Sequence, residues 1–135
     1  MDYLVFLAYA VAAYIGLLLV LELVIWRAQP TMDGGITLRV TDAAGASIQR
    51  NLYGHNYEGQ LYVASNHWFR GWYRDALERP TVEAARHGED FQRFRAVPVV
   101  GEEHAQVMAD YSKGFMLRLA CGFAPSKLLR LEPDP

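Results

Sequence analysis

From Tyr3 to Trp26 the chain is almost unbroken Leu, Val, Ile, Ala, Phe and Tyr. At about 1.5 Å of rise per residue such a run covers the roughly 30 Å of bilayer hydrocarbon, which predicts a transmembrane helix. A cleaved secretory signal has a basic start, a shorter apolar core and a small-residue cleavage site. Here Met1-Asp2 opens the run and Trp26-Arg27 closes it, so the helix is read as retained. The periodicity then changes. Gln29-Pro30-Thr31-Met32-Asp33-Gly34-Gly35 brings helix breakers and reads as a linker. After it apolar and polar positions alternate with period two in Ile36 to Val40, Ser47 to Tyr53 and Gln60 to Ser65. With turns at Thr41 to Gly45 and Gly54 to Gly59, this predicts an antiparallel meander of three strands.

Ser65-Asn66 offers side-chain oxygens that can cap a following helix. Trp68 and Trp72, Phe69 and Tyr73, and Arg70 and Arg74 are each four apart, so a helix stacks each pair along one side, and Pro80 ends it. Thr81 to Arg86, the polar turn His87-Gly88-Glu89-Asp90 and Phe91 to Val100 read as a second hairpin. Glu102-Glu103 favour a helix start through the helix dipole, with Val107, Met108 and Tyr111 as its buried stripe and Lys113-Gly114 as its stop. Phe115 to Phe123 is apolar without a clean period, which leaves helix and strand both open; Lys127 to Leu131 reads as a last strand. The predicted fold class is mainly β (α+β): six or so short strands with two or three short helices, closed into a small barrel that removes exposed sheet edges. The organisation is a membrane anchor at 1–28, a linker at 29–35 and a barrel domain at 36–135.

Thirteen basic against fifteen acidic residues give a net charge of −2, which provides no electrostatic case for nucleic acid. Cys121 is the only cysteine, so no intrachain disulfide forms, and neither a CxxC nor a Cys/His cluster predicts a metal site. Arg27 and Arg39 put positive charge on the carboxyl side of the helix, which favours a single-pass protein with a cytoplasmic barrel. Glu22, costly inside lipid, either reaches the headgroups or pairs with another membrane subunit. Ala8, Ala12, Ala13 and Gly16 form either a close helix contact face or ordinary lipid-facing surface.

The runs Leu61-Tyr62-Val63-Ala64-Ser65 and Trp72-Tyr73-Arg74-Asp75-Ala76-Leu77-Glu78-Arg79-Pro80-Thr81-Val82, with the later Gly101-Glu102-Glu103 and the last strand from Leu128 to Pro133, resemble the deazaflavin-dependent nitroreductase and quinone reductase family. The resemblance implies a split β-barrel related to flavin-binding barrels. It also implies a deazaflavin or FMN cofactor and hydride transfer to a quinone-like or nitro acceptor. The chain departs from that family where a basic Gly-Arg-Lys-Ser/Thr-Gly turn grips the cofactor phosphate, since Asp42-Ala43-Ala44-Gly45-Ala46-Ser47 stands there and Arg50 alone keeps a matching charge. His67-Trp68 likewise replaces the family's Gly-Gly.

On this reading Arg50, Ser65, Asn66, Trp72 and Tyr73 are the candidate cofactor-binding residues. His67 is the candidate proton donor, because histidine ordinarily titrates near neutral pH. The alternative for Ser65-Asn66 is a helix cap and for Trp72 a core position; Arg70 and Arg74 are either anion-binding or solvated. His55, His87 and His104 read as surface, and Asp75, Glu78 and Asp110 as solvent-facing helix residues. Two functions follow. One is a membrane-anchored flavin- or deazaflavin-dependent reductase acting on a lipid-soluble acceptor. The other is a barrel without cofactor, an accessory subunit that binds a larger membrane protein complex. Behind both stands a module for another ligand such as haem or a lipid.

Overall fold

Strand alternation builds the domain. In β1 (Gly35–Thr41) Ile36, Leu38 and Val40 turn inward and are buried while their neighbours stay half-exposed, the period-two pattern written in the sequence. The computed structural model describes residues 2–28, 35–66, 71–111, 115–120 and 122–134. Within them, β2 (Ser47–Tyr57), β3 (Gln60–Ser65), β4 (Thr81–Arg86), β5 (Gln92–Val99) and β6 (Lys127–Pro133) join β1 in a closed barrel of order β1-β2-β3-β6-β5-β4. Every pairing is antiparallel, and β4 closes on β1. The six strands and the mainly β class match the alternation in the sequence.

One connection differs from expectation. β2 does not turn at Gly54 but runs on to Tyr57, with Gly54 paired to Val63, and only Glu58 and Gly59 make the turn. Both hold positive φ, 50° and 77°. A two-residue turn of that kind matches the right-handed twist of its strands, which a six-residue loop would not require.

Among the described residues four helices join the strands: α1 (Tyr3–Ala28), α2 (Gly71–Glu78), α3 (Gly101–Asp110) and α4 (Phe115–Ala120). α1 is long and apolar enough to cross a membrane. α2 stops ahead of Pro80, as the proline demands. The expected pairs built on Trp68, Phe69 and Arg70, the proton donor His67, most of the linker, the stop at Lys113-Gly114 and Cys121 lie outside the described residues. α4 resolves the open choice at Phe115 to Phe123 in favour of helix followed by a turn.

The barrel has two apolar layers. Inside, Leu38, Val63, Leu129 and Leu131 pack with Trp72 and Ala76, which α2 delivers over the barrel end. Outside, α3 sets Val107 onto Tyr62, Ala64, Val99 and Leu128, with Met108 and Tyr111 at the margin. β3 and β6 are therefore covered on both faces, which explains the unbroken apolar run of Tyr62, Val63 and Ala64.

Candidate functional site

Antiparallel order gathers the β1–β2 turn, the end of β3 and the start of β4 at one end of the barrel, where α2 connects β3 to β4. Tyr53 lies opposite Ala64, so one further pair sets Ser65 beside Leu52; there β3 ends while β2 continues back through Arg50 to Ser47. Arg50 pairs with Leu38 of β1, between the pairs Ile48–Val40 and Leu52–Ile36. It thus occupies the inward face of β2, an apolar row interrupted by one cation. Burial pulls the Arg50 guanidinium below its ordinary value, and the Asp75 carboxylate from α2 only partly opposes this. Its Nη1 donates to the main-chain oxygen of Gln49 at 2.9 Å. Asp75, expected to face solvent, is half-buried because α2 lies across this end.

Trp72 is buried in the inner core and meets the half-buried Tyr73 edge to face, with ring centroids 5.9 Å apart. Ser65 is buried and ends the same strand as the inward Val63. Arg50, Ser65, Trp72 and Tyr73 therefore belong to one end of the barrel, whereas Arg74 points into solvent.

Asn66 is separated from them. Alternation turns it to the outer face, where its Nδ2 donates to Tyr111 Oη at 3.0 Å and Ser126 Oγ donates to its Oδ1 at 2.7 Å. This buried amide ties the end of β3 to the end of α3 and to the entry of β6. Around it, His104 Nε2 donates to the main-chain oxygen of Ser126 at 3.0 Å. His55 Nε2 donates to Asp110 Oδ2 at 2.8 Å, and the His55 ring lies 5.5 Å from that of Tyr111. His55 and His104, read as surface, are half-buried beside α3, while Asp110 stays solvent-facing as expected and accepts the bond from His55.

A second polar knot holds α3 on the barrel. Tyr62 Oη donates to Glu103 Oε1 at 2.9 Å, and Arg130 bonds both Glu103 and Glu132. The hydrogen bond from Arg130 holds the Glu103 carboxyl below the usual carboxylate range, against the effect of burial. Burial, reinforced by Glu103, pushes the Tyr62 phenol up. Glu103 is therefore more than a favourable charge at a helix start: its partner Arg130 comes from the last strand, a pairing that no local spacing announces.

The β1–β2 turn closes on its own carboxylate. Asp42 Oδ1 accepts the main-chain N–H groups of Ala44 and Ala46 at 2.9 and 2.8 Å. Turn amides of this kind are what an external anion would otherwise bind, and here an internal carboxylate takes them. The turn does not fit a polyanionic cofactor tail. At the opposite barrel end, a hollow of about 80 Å³ between Ile36, Leu61, Ala84, Arg86 and Phe94 falls well short of the roughly 300 Å³ of a small-molecule site.

No protein-family model and no curated protein matches this sequence. Solved structures do. HutZ, the heme storage protein from Vibrio cholerae, is 18% identical with a TM-score of 0.58, over 76% of this chain and 82% of that one. F420-H2 dependent reductase (FDR-A) is 15% identical with a TM-score of 0.56, over 76% of this chain and 98% of that one. Campylobacter jejuni ChuZ is 12% identical with a TM-score of 0.58, over 75% of this chain and 48% of that one. At these identities the likeness is one of fold alone: the domain behind the apolar helix is a small split β-barrel.

Proposed function

We propose that this chain is a membrane-tethered split-barrel reductase, with a flavin or deazaflavin held at the barrel end that carries Arg50, Ser65, Trp72 and Tyr73 and a quinone-like or nitro compound as acceptor. The observation that carries this reading is the inward-turned Arg50. Arg50 is the one cation in an otherwise apolar inward row, half-buried with Asp75 nearby, and its guanidinium stays accessible to an anion entering at this barrel end. An anionic cofactor group supplies that anion. Trp72 and Tyr73 would then form an apolar wall, and the buried Ser65 would offer a hydrogen bond. The bound ring supplies the hydride chemistry; the chain's residues bind it, orient it and keep water from its face. One of the similar folds being a reductase dependent on F420-H2 supports the same reading. α1 supplies the tether that brings the barrel to a lipid-soluble acceptor.

A second reading has its own observation. With Asp42 occupying the turn amides, the chain resembles a barrel that has given up its cofactor and serves as an accessory subunit of a membrane protein complex. Purification of the full chain in mild detergent, followed by visible spectra during titration with FMN, deazaflavin and haem, separates the cases. Saturable binding of FMN or deazaflavin supports the reductase. Binding of haem alone replaces it with a haem-binding module. Binding of none, together with stoichiometric co-purifying membrane proteins, leaves the accessory subunit.

A further inference from the structure

Carboxylates bound Arg50 in both directions that a ligand reaching beyond it would take. Along β2 the strand ends at Ser47, about 10 Å of strand rise from Arg50, and leads back into the turn that holds Asp42. Across the barrel end the Asp75 carboxylate of α2 acts electrostatically on the same guanidinium. Arg74, the neighbouring cation of α2, is turned into solvent and balances neither of them.

The shape of the β1–β2 turn does not depend on the Asp42 side chain alone. Main-chain bonds close it: Asp42 N–H donates to Ala46 O at 2.9 Å and Gly45 N–H to Asp42 O at 3.0 Å, with Gly45 at φ 83°. Ala44 and Ala46, whose amides the carboxylate takes, are both exposed, so these two donors stand where a ligand from solvent would meet them. Left open, neighbouring turn amides attract an anion. Covered by a half-buried carboxylate, the same turn presents negative charge and repels one.

We infer that Asp42 is a specificity-determining residue of this barrel end: it admits a cofactor with a single anionic group, met by Arg50, and rejects one whose tail carries several. A lone phosphate at Arg50 stays clear of the turn. A longer polyanionic tail runs towards Asp42 or towards Asp75 and meets like charge in either direction, which is discrimination by repulsion. The inference rests on the reading of this end as a flavin or deazaflavin site, and it goes beyond that reading by naming how many charges the cofactor brings and which residue counts them.

The test uses the full chain in mild detergent and three deazaflavins that share one ring: one with an uncharged ribityl side chain, its 5′-phosphate, which is an isostere of FMN, and one whose phosphodiester tail ends in several carboxylates. Dissociation constants are read from ring fluorescence at low ionic strength, where exposed charges are least screened. The expected result is that the 5′-phosphate binds roughly tenfold or more tightly than the polyanionic form. Asp42→Ala frees the amides of Ala44 and Ala46, while Asp42→Asn keeps an oxygen for them and removes only the charge. Both should narrow the ratio several-fold, the alanine change further. A polyanionic form bound as tightly as the 5′-phosphate, or a ratio that neither substitution moves, overturns the role of Asp42 and leaves the cofactor site standing. Binding of none of the three overturns both.

Discussion

Ser65 and Asn66 are neighbours in the chain and face opposite ways. In the sequence they read as one polar crossing, and that much was legible; their division was not, because it depends on where β3 stops alternating. Ser65 closes the inner face near Arg50, and Asn66 bonds Tyr111 and Ser126 beneath α3. Arg50 could be picked out as a lone cation, yet its inward turn follows only from the β1–β2 register. Replacing Arg50 with Gln should remove a charge-assisted bond worth about 1.5–3 kcal/mol to an anionic cofactor, a ten- to hundredfold loss of affinity. Without cofactor the same change should leave stability unchanged or raised, since a desolvated cation is gone. Cofactor titration and urea melts of the two proteins read both effects. Glu103 gives a pH prediction. Its folded value lies below the ordinary 4.5, so the stability it contributes is present above that value and is lost as the pH falls through the lowered one. Because the Glu103 side chain is 38% exposed, the contribution is under about 1 kcal/mol. Glu103→Gln should flatten the acid limb of a melting-temperature profile by that amount while leaving the alkaline limb as it was.

At the level of elements the strands were legible because one-sided burial writes period two into the sequence. The exceptions are physical. β3 is covered by the inner core and by α3, so its alternation is blurred, and α4, six residues with Arg118 as the one polar position, is too short for the helical period to show. The β2–β3 turn was misjudged since Gly54 looks like a breaker, while the residue that needs glycine is Gly59 at φ 77°. Nothing lies within 4 Å of a Cβ built there, so strain in the backbone alone sets the cost. Gly59→Ala should destabilise the barrel by about 1 kcal/mol through that strain, whereas Gly54→Ala tests a paired strand position without it. Chemical denaturation of the two variants should separate them, with the larger loss at Gly59. Trp72 shows the same dependence on packing. It belongs to the inner core, so truncation to Ala would cost about 3–5 kcal/mol and confound any test of cofactor contact.

For the molecule as a whole, the question is what fixes the barrel relative to α1. A linker alone would leave the barrel free to turn relative to the helix. The Tyr14–Leu119 hydrogen bond and the half-buried stripe from Tyr14 to Ile25 give it a second attachment far from the linker. Two attachments at separate points constrain rotation as one cannot. On the proposed reading of α1 as a membrane helix, an interhelical hydrogen bond contributes on average about 0.6 kcal/mol, close to a threefold change in an opening equilibrium. Tyr14→Phe keeps the ring and removes the hydroxyl. Amides 122 and 123, whose N–H groups close the turn after α4, should therefore exchange hydrogen about threefold faster in the variant, while Val63 in the barrel core keeps its rate. Equal rates at amides 122 and 123 would mean that the stripe, not the hydroxyl, holds α4. Faster exchange at Val63 as well would mean that the attachment supports the fold of the barrel itself. The predicted outcome, local and confined to the end of α4, is the one in which the barrel folds on its strands and Tyr14 determines only how it sits.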